Sequence, residues 1–331
     1  MTDGPRIWVR RTKIIEARSA LSLTFGVAGF FRMEACNRYG TPRRSREWKQ
    51  LITDQGLDHL MSASNLFTQA TVGIGTTPPS PADTTLENPV AVSATSSAAT
   101  GQIFASPYFA RVSRTREFAM GAINNQNLTE VGIGPAGTTP VPITCRDLIR
   151  DDEGNPTTFP VASDEILRVT HILQVNIPGA DSDIESEVTI TGSGTHDITI
   201  RAMNANNADA WRAGAGALTI STDSGAGQIT AYETNTLASI NDNTLPGNSA
   251  SRSSVSNFAY TAGTFQRDWE ATWGLTSANF ASGVGAIAYR LSGLSSSLRQ
   301  FQIAFSPKID KFAGGVQRIL TLQGRTTIVR A

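Results

Sequence analysis

WKQLITDQGLDHLMSASNLFTQATVGIGTTPPSPADTTLENPV, residues Trp48 to Val90, sets out the architecture before any chemistry comes into view. Its first third predicts a short helix over Leu51–Met61. Thr53 can cap it, because a threonine hydroxyl accepts a free backbone N–H of the first turn. Leu57, Leu60 and Met61 fall on one face at helical spacing, and Gly56 interrupts the pattern. Phe67–Ile74 is a β-leaning run that enters VGIG, where Gly73 and Gly75 permit a tight turn or close approach to another backbone. TTPPSPADTT then stops regular structure, since Pro78, Pro79 and Pro81 fix φ and offer no N–H.

VGIG recurs at Val131–Gly134, again leading into a Gly/Thr/Pro loop, and GVGAIAY at Gly283–Tyr289 is a looser echo. REFAMG (Arg116–Gly121) and DWEATWG (Asp268–Gly274) alternate apolar and polar residues before a Gly and an Asn-bearing turn. Two readings stand: coincidence among common β residues, or a pseudo-repeat of two hairpins facing each other across one core.

The 331 residues suffice for one large or two ordinary domains, and a 40% hydrophobic share can build a core. Charged residues make up only 17%, against about 25% in ordinary domains, and Ser, Thr, Ala, Gly and Asn fill the gap. That mixture suits β-rich chains with many turns, or chains whose surface is buried in an assembly. Net charge is zero but unevenly placed. Residues 1–50 carry eleven Lys/Arg against four acids, and the other 281 residues carry seventeen bases against twenty-four acids. A basic start on an acidic body suits docking on a neighbouring copy, with nucleic-acid binding as the alternative and a solvated face as the plain reading of any one Arg.

Cys36 and Cys145 are isolated, and His59, His171 and His196 are scattered, so neither a disulfide framework nor a metal site is expected. Ala20–Phe31 looks like the apolar core of a signal peptide, but Glu16 and the long lead-in are atypical, and LSLTFGV alternates as a half-buried strand does. No apolar run reaches the eighteen or so residues of a membrane span.

Along the chain, Arg6–Ile15 and Leu21–Met33 read as a pair of strands, and Arg38–Arg46 as a basic loop. Ala91–Thr100 reads as a loop or ragged strand, Ile103–Met120 as strand, and Asn124–Asn127 as a turn. Asp151–Pro156 is an acidic turn without the regular ligand spacing of a calcium loop. Leu167, Val169, His171, Leu173, Val175 and Ile177 recur at strict period two, the clearest strand signal in the chain. His171 shares that apolar face and reads as a hydrogen-bonded core histidine. Glu187–Ile190 and Asp197–Arg201 predict a hairpin inside a Gly/Asn/Ser-rich block, 178–254, which reads as an insertion. Strands resume over Phe258–Trp273, Arg299–Phe305 and Arg318–Val329, with Pro307 breaking the run. The fold class expected is all-β, a jelly-roll-like β-sandwich with one short helix. Its parts are a basic arm with docking strands (1–47), a body in two pieces (48–177 and 255–331), and the insertion between them.

These stretches also carry a resemblance. WKQLITDQGLDHL, VGIGTTPPSPADTTLENPV, REFAMGAINNQNLTEVGIG, DEGNPTTFPVASDEILRVTHIL, DWEATWGLTSANFASGVGAIAY and QIAFSPKIDK are similar to a family of tailed-bacteriophage virion proteins of the tail-fibre or tail-structural type. The resemblance covers roughly residues 45–331, with a divergent insertion, and its motifs are structural turns. It implies a virion component built as a β-sandwich, without identifying the place in the particle; the localisation expected is the phage tail, with the host cytoplasm during assembly. The Arg-rich start fits the pattern less clearly.

The function expected is a multi-copy tail or fibre-attachment subunit acting through contacts with other copies and other tail proteins. Arg6, Ile7, Trp8, Arg10, Arg11 and Lys13 are the candidate partner-binding residues: Trp and Arg are enriched where interface energy concentrates. The alternative is a module binding host-surface glycan, with Trp211, Trp269 and Trp273 as stacking candidates beside a plain core reading. A depolymerase would need carboxylates about 5–10 Å apart. Asp164 with Glu165 and Asp181 with Asp183 are available, but acids so close in sequence usually share one loop. No catalytic residue and no cofactor are expected.

Overall fold

The computed structural model describes residues 13–37, 42–62, 67–135, 142–211, 217–222, 229–294, 297–312 and 316–331, and side chains from Leu21 onward within them. It is almost entirely β, with antiparallel ladders predominating and one α-helix among the described residues.

One strand runs through the whole molecule. β1, Lys13–Cys36, is 24 residues long. Of the two strands expected here, Arg6–Ile15 is described only from Lys13 on; that end and Leu21–Met33 belong to one strand, since Glu16–Ala20 holds no Gly, Pro, Asn or Asp, and a register shift between Ala17 and Leu21 takes up the irregularity. Its first half pairs in parallel with β21 (Arg318–Arg330), and its second half pairs antiparallel with β12 (Ile166–Asn176) and β3 (Trp48–Ile52). The parallel pair departs from the antiparallel ladders of a jelly roll.

The inward period-two residues of β1 serve two cores. Leu21, Leu23, Phe25 and Val27 enter the larger one. There they join Trp269 and Trp273 of β18 (Gln266–Trp273) and Leu320 and Leu322 of β21. Facing them is a six-stranded sheet ordered β13-β14-β20-β19-β15-β16, with ranges Ile184–Ile190, Gly194–Ala202, Phe301–Ile309, Val284–Tyr289, Thr230–Tyr232 and Ser249–Ser251. It contributes Val188, Ile198, Ile200, Ile287, Phe301, Ile303 and Phe305. Gly324 is needed in β21 because its Cβ would lie 2.2 Å from the Trp269 ring.

Phe31, Met33 and Ala35 enter the smaller core, with Leu167 and Val169 of β12 and Phe118 of β7 (Phe109–Phe118). Opposite them lie Ala70 and Val72 of β4 (Gln69–Gly73), Val131 and Ile133 of β9 (Glu130–Gly134), and Cys145 of β10 (Cys145–Leu148). The two VGIG copies do not face each other across a core. They lie side by side as antiparallel β4 and β9, with Val72 opposite Val131, while the third echo, β19, belongs to the other sheet.

Three further expectations are corrected. Block 178–254 is no insertion: it supplies β13, β14, β15 and β16, four of the six strands of one sheet. Its small side chains suit close sheet packing, although the hairpin read at Glu187–Arg201 does form. Phe258–Phe265 is a turn joining β17 (Ser254–Asn257) to β18. Pro307 sits inside β20, where the ladder to β19 shifts register, and a bulge tolerates a missing N–H.

The helix α1 spans Asp54–Ser62, with Leu51 and Ile52 assigned to β3 instead. Thr53 caps it as expected: Oγ1 accepts the Gly56 N–H at 3.1 Å. Gly56 earns its place by packing, since a Cβ there would lie 2.0 Å from the Thr144 carbonyl oxygen.

Candidate functional site

Two exposed features are built with more care than a solvated surface needs. The first is the Pro-rich loop between β4 and β5 (Pro89–Ser93). One buried carboxylate holds it. Glu130, 0% exposed, accepts the backbone N–H groups of Gly75 (3.1 Å), Glu87 (3.1 Å) and Asn88 (2.7 Å). Arg146 donates to the same carboxylate at 3.0 Å, to Asp83 at 2.8 Å and to the Thr77 carbonyl at 3.1 Å. Glu87 accepts the Thr76 and Thr77 N–H groups, and those bonds hold its carboxyl below the usual range. The backbone donors of Gly75, Thr76, Thr77, Glu87 and Asn88 are thus met from within, and Ile74, Thr76, Thr77 and Pro78 stand exposed on that frame.

Between this loop and α1 lies a groove of about 420 Å³ lined by Asp54, Gln55, Asp58, Pro81, Asp83 and Pro142, among others. Its three carboxylates all have internal donors. Asp54 takes Arg330, Asp58 takes the Tyr260 hydroxyl and the Gly263 N–H, and Asp83 takes Arg146. Burial and the neighbouring Asp58 push the Tyr260 hydroxyl up to about 12.

The second feature lies on the outer face of β1, β12, β7 and β6 (Thr100–Phe104). Directly opposed residues form a charge ladder across the strands: Arg44 to Glu34 at 2.5 Å, Glu34 to Arg168 at 3.1 Å, and Arg168 to Glu117 at 2.9 Å. Burial pushes the Glu34 carboxyl up, but the two guanidiniums outweigh it and leave the group below its ordinary value. Further along the same face, the Arg111 guanidinium lies 4.5 Å from the Phe30 ring centre, 5.5 Å from Phe109 and 5.6 Å from Phe104. Phe104 and Phe109 are cross-strand partners stacked at 4.7 Å. Gln174 (2.9 Å) and Glu47 (2.7 Å) accept from Arg111 and fix its plane. Phe104 is 37% exposed. An aromatic–arginine cluster on a flat sheet face presents large rigid area with little rotamer freedom left to lose, the composition that concentrates binding energy.

The residues singled out in the sequence fall elsewhere. Arg6, Ile7, Trp8, Arg10 and Arg11 lie outside the described residues. Lys13 opens β1 opposite Arg318, and its side chain is also outside them. Trp211, Trp269 and Trp273 are fully buried, so the stacking reading of these three gives way to core packing. Glu165 pairs with Arg43 at 2.5 Å, Asp183 is bidentate on Arg201, and Asp181 takes the Ser106 hydroxyl and the Tyr108 N–H. Asp151 accepts the N–H groups of Glu153 and Asn155 in its own turn. His171 is buried with its ring stacked 4.6 Å from Phe67, but Nε2 has no partner, which differs from the hydrogen-bonded histidine expected. Among the described residues no group of three or more His, Cys, Asp or Glu is placed to hold a metal ion, and no helix is long and apolar enough to cross a membrane.

The aromatic–arginine cluster was missed because its members are spread from Phe30 to Gln174 and meet only through strand register. A local signal existed: Phe109 and Arg111 occupy the polar phase of their strand. The chain matches no family model, and no curated protein or solved structure matches it.

Proposed function

We propose that this chain is a structural subunit of a tailed-phage virion, present in many copies in the tail or tail fibre and acting through contacts with other copies and other tail proteins. The observation that carries this reading is the Phe30–Phe104–Phe109–Arg111 cluster, an anchor presented on an exposed sheet face. The braced loop at residues 74–88 offers a second rigid contact surface. The sparse overall charge and the basic surplus in residues 1–50 agree with burial among neighbours of opposite charge. The resemblance of residues 45–331 to phage tail proteins supplies the particle.

Phe104→Ala and Arg111→Ala test the reading together with deletion of residues 1–12. Phe104→Ala and Arg111→Ala keep the parent melting temperature to within a few degrees, because both side chains lie on the outer face of the sheet and neither change empties a core. Each of the three variants loses incorporation into particles, and incorporation of the parent weakens as ionic strength rises. Normal incorporation of all three variants contradicts the reading. Binding of the isolated protein to a glycan array, abolished by Phe104→Ala, would favour a host-glycan module instead, since an exposed stacked ring also suits a sugar face.

A further inference from the structure

The inner face of the smaller lobe carries two arginines where apolar residues belong. Along β7 and β12, Leu167 lies opposite Phe118, Val169 opposite Arg116, and His171 opposite Arg114. Side chains alternate faces along a strand, so Arg114, Arg116 and His171 share the inward face with Leu167 and Val169. Arg116 is 2% exposed and His171 4% exposed, while Arg114 is half-buried at the rim.

Among the described residues the two guanidiniums have no counter-charge. Arg116 donates Nε to the Thr68 carbonyl at 2.7 Å and Nη2 to the Phe67 carbonyl, both neutral acceptors. Its Nη1 is buried without an acceptor, and so is His171 Nε2. Arg114 is close enough to act electrostatically on both Arg116 and His171, and no described carboxylate pairs with it. A guanidinium stays charged in a protein, and a charge taken out of water without a partner is strongly unfavourable. The surroundings explain why the site is not simply hydrated bulk: Phe31 and Phe67 pack on the imidazole, at 5.9 Å and 4.6 Å between ring centres. Two neighbouring guanidiniums, one of them half-buried, and an unpartnered imidazole nitrogen have the donor set of an oxyanion receptor, in which a planar fork meets two oxygens at once.

We propose that Arg114, Arg116 and His171 bind one small oxyanion of the phosphate, sulfate or carboxylate class. It enters at Arg114, whose fork takes two of its oxygens, and meets Arg116 Nη1 and His171 Nε2 inside. The site lies on the opposite face of β7 from Arg111 and is independent of the assembly reading.

Isothermal titration of the full chain with inorganic phosphate, at fixed ionic strength, tests this, with acetate as the carboxylate probe. The parent binds phosphate saturably at one site per chain. Arg114→Gln, a rim substitution, weakens binding at least tenfold without lowering the phosphate-free melting temperature by more than a few degrees. Arg114→Lys keeps the charge but not the fork, and weakens binding severalfold; it carries the test alone should the Gln variant not fold. Absence of saturable binding to the parent by either probe overturns the proposal. So does unchanged affinity in a folded Arg114 variant, which would mark the heat as an adventitious ion only.

Discussion

Glu130 of β9 and Arg146 of β10 form an ion pair at 3.0 Å in which neither side chain is more than 3% exposed, and through it a fourteen-residue span of irregular chain is held at both ends. Removing one partner of such a pair leaves the other charge buried alone, at a cost of about 3–5 kcal/mol. Glu130→Ala also strands the Gly75, Glu87 and Asn88 N–H groups. We expect a loss of that size in urea unfolding, with faster amide exchange across residues 75–88. A loss below about 1 kcal/mol would mean the loop holds itself and the pair is incidental.

Leu173 is 2% exposed on the inward face of β12, at the junction where the larger core meets the smaller. Leu173→Ala removes buried methyl groups and leaves a cavity, which costs about 2–5 kcal/mol. A variant that unfolds at the parent's urea midpoint would show that this face is not packed as described.

The His171 imidazole makes stability depend on pH. Burial, reinforced by Arg116 and Arg114, lowers its pKa to about 3. In the unfolded chain the ring titrates near its ordinary value of about 6.5. Between these values the unfolded state holds the extra proton, so stability is fully present above the higher value and is lost as pH falls toward the lower. The slope approaches about 1.4 kcal/mol per pH unit. Unfolding free energies at pH 7, 5.5 and 4.5, in phosphate-free buffer, should fall more steeply for the parent than for His171→Gln. Parallel curves would place the imidazole in contact with water.

How far the sequence could be read depends on the range of the forces involved. The period-two run from Leu167 to Ile177, the Thr53 cap and the hairpin around Gly192–Gly194 are decided by neighbours within a few residues, and all three form as read. The turn read over Asn124–Asn127 holds only for its first half: Asn124 and Asn125 have φ of 53° and 58°, a conformation asparagine tolerates, while Gln126 and Asn127 already pair as strand with Val161 and Pro160. Long-range pairing was not legible. Nothing local says that Lys13 lies beside Arg318 or that β4 pairs with β9, so the side-by-side pairing of the two VGIG copies was not among the readings the sequence offered. The same limit hid both surfaces. Glu130 meets residues 75–88, and Arg111 meets Phe30, only after the sheets assemble.

The two cysteines should separate cleanly in labelling. Cys145 is fully buried, and that burial pushes its thiol up to about 12, whereas Cys36 is half-buried at the end of β1. The reactive species is the thiolate. In native buffer a thiol-specific chromogenic reagent should modify Cys36 alone, with Cys145 reacting at the rate of global unfolding. Equal rates in native buffer would contradict the placement of β10 inside the smaller core.

The central claim is that this chain is a repeated part of a phage tail. Immunogold electron microscopy, with an antibody raised against the folded chain and applied to tailed particles from a producing culture, tests it most directly. The account predicts several gold labels per particle, confined to the tail or its fibres and absent from particles made without the chain. Tailed particles that carry no label while the chain remains entirely in the particle-free fraction would contradict it.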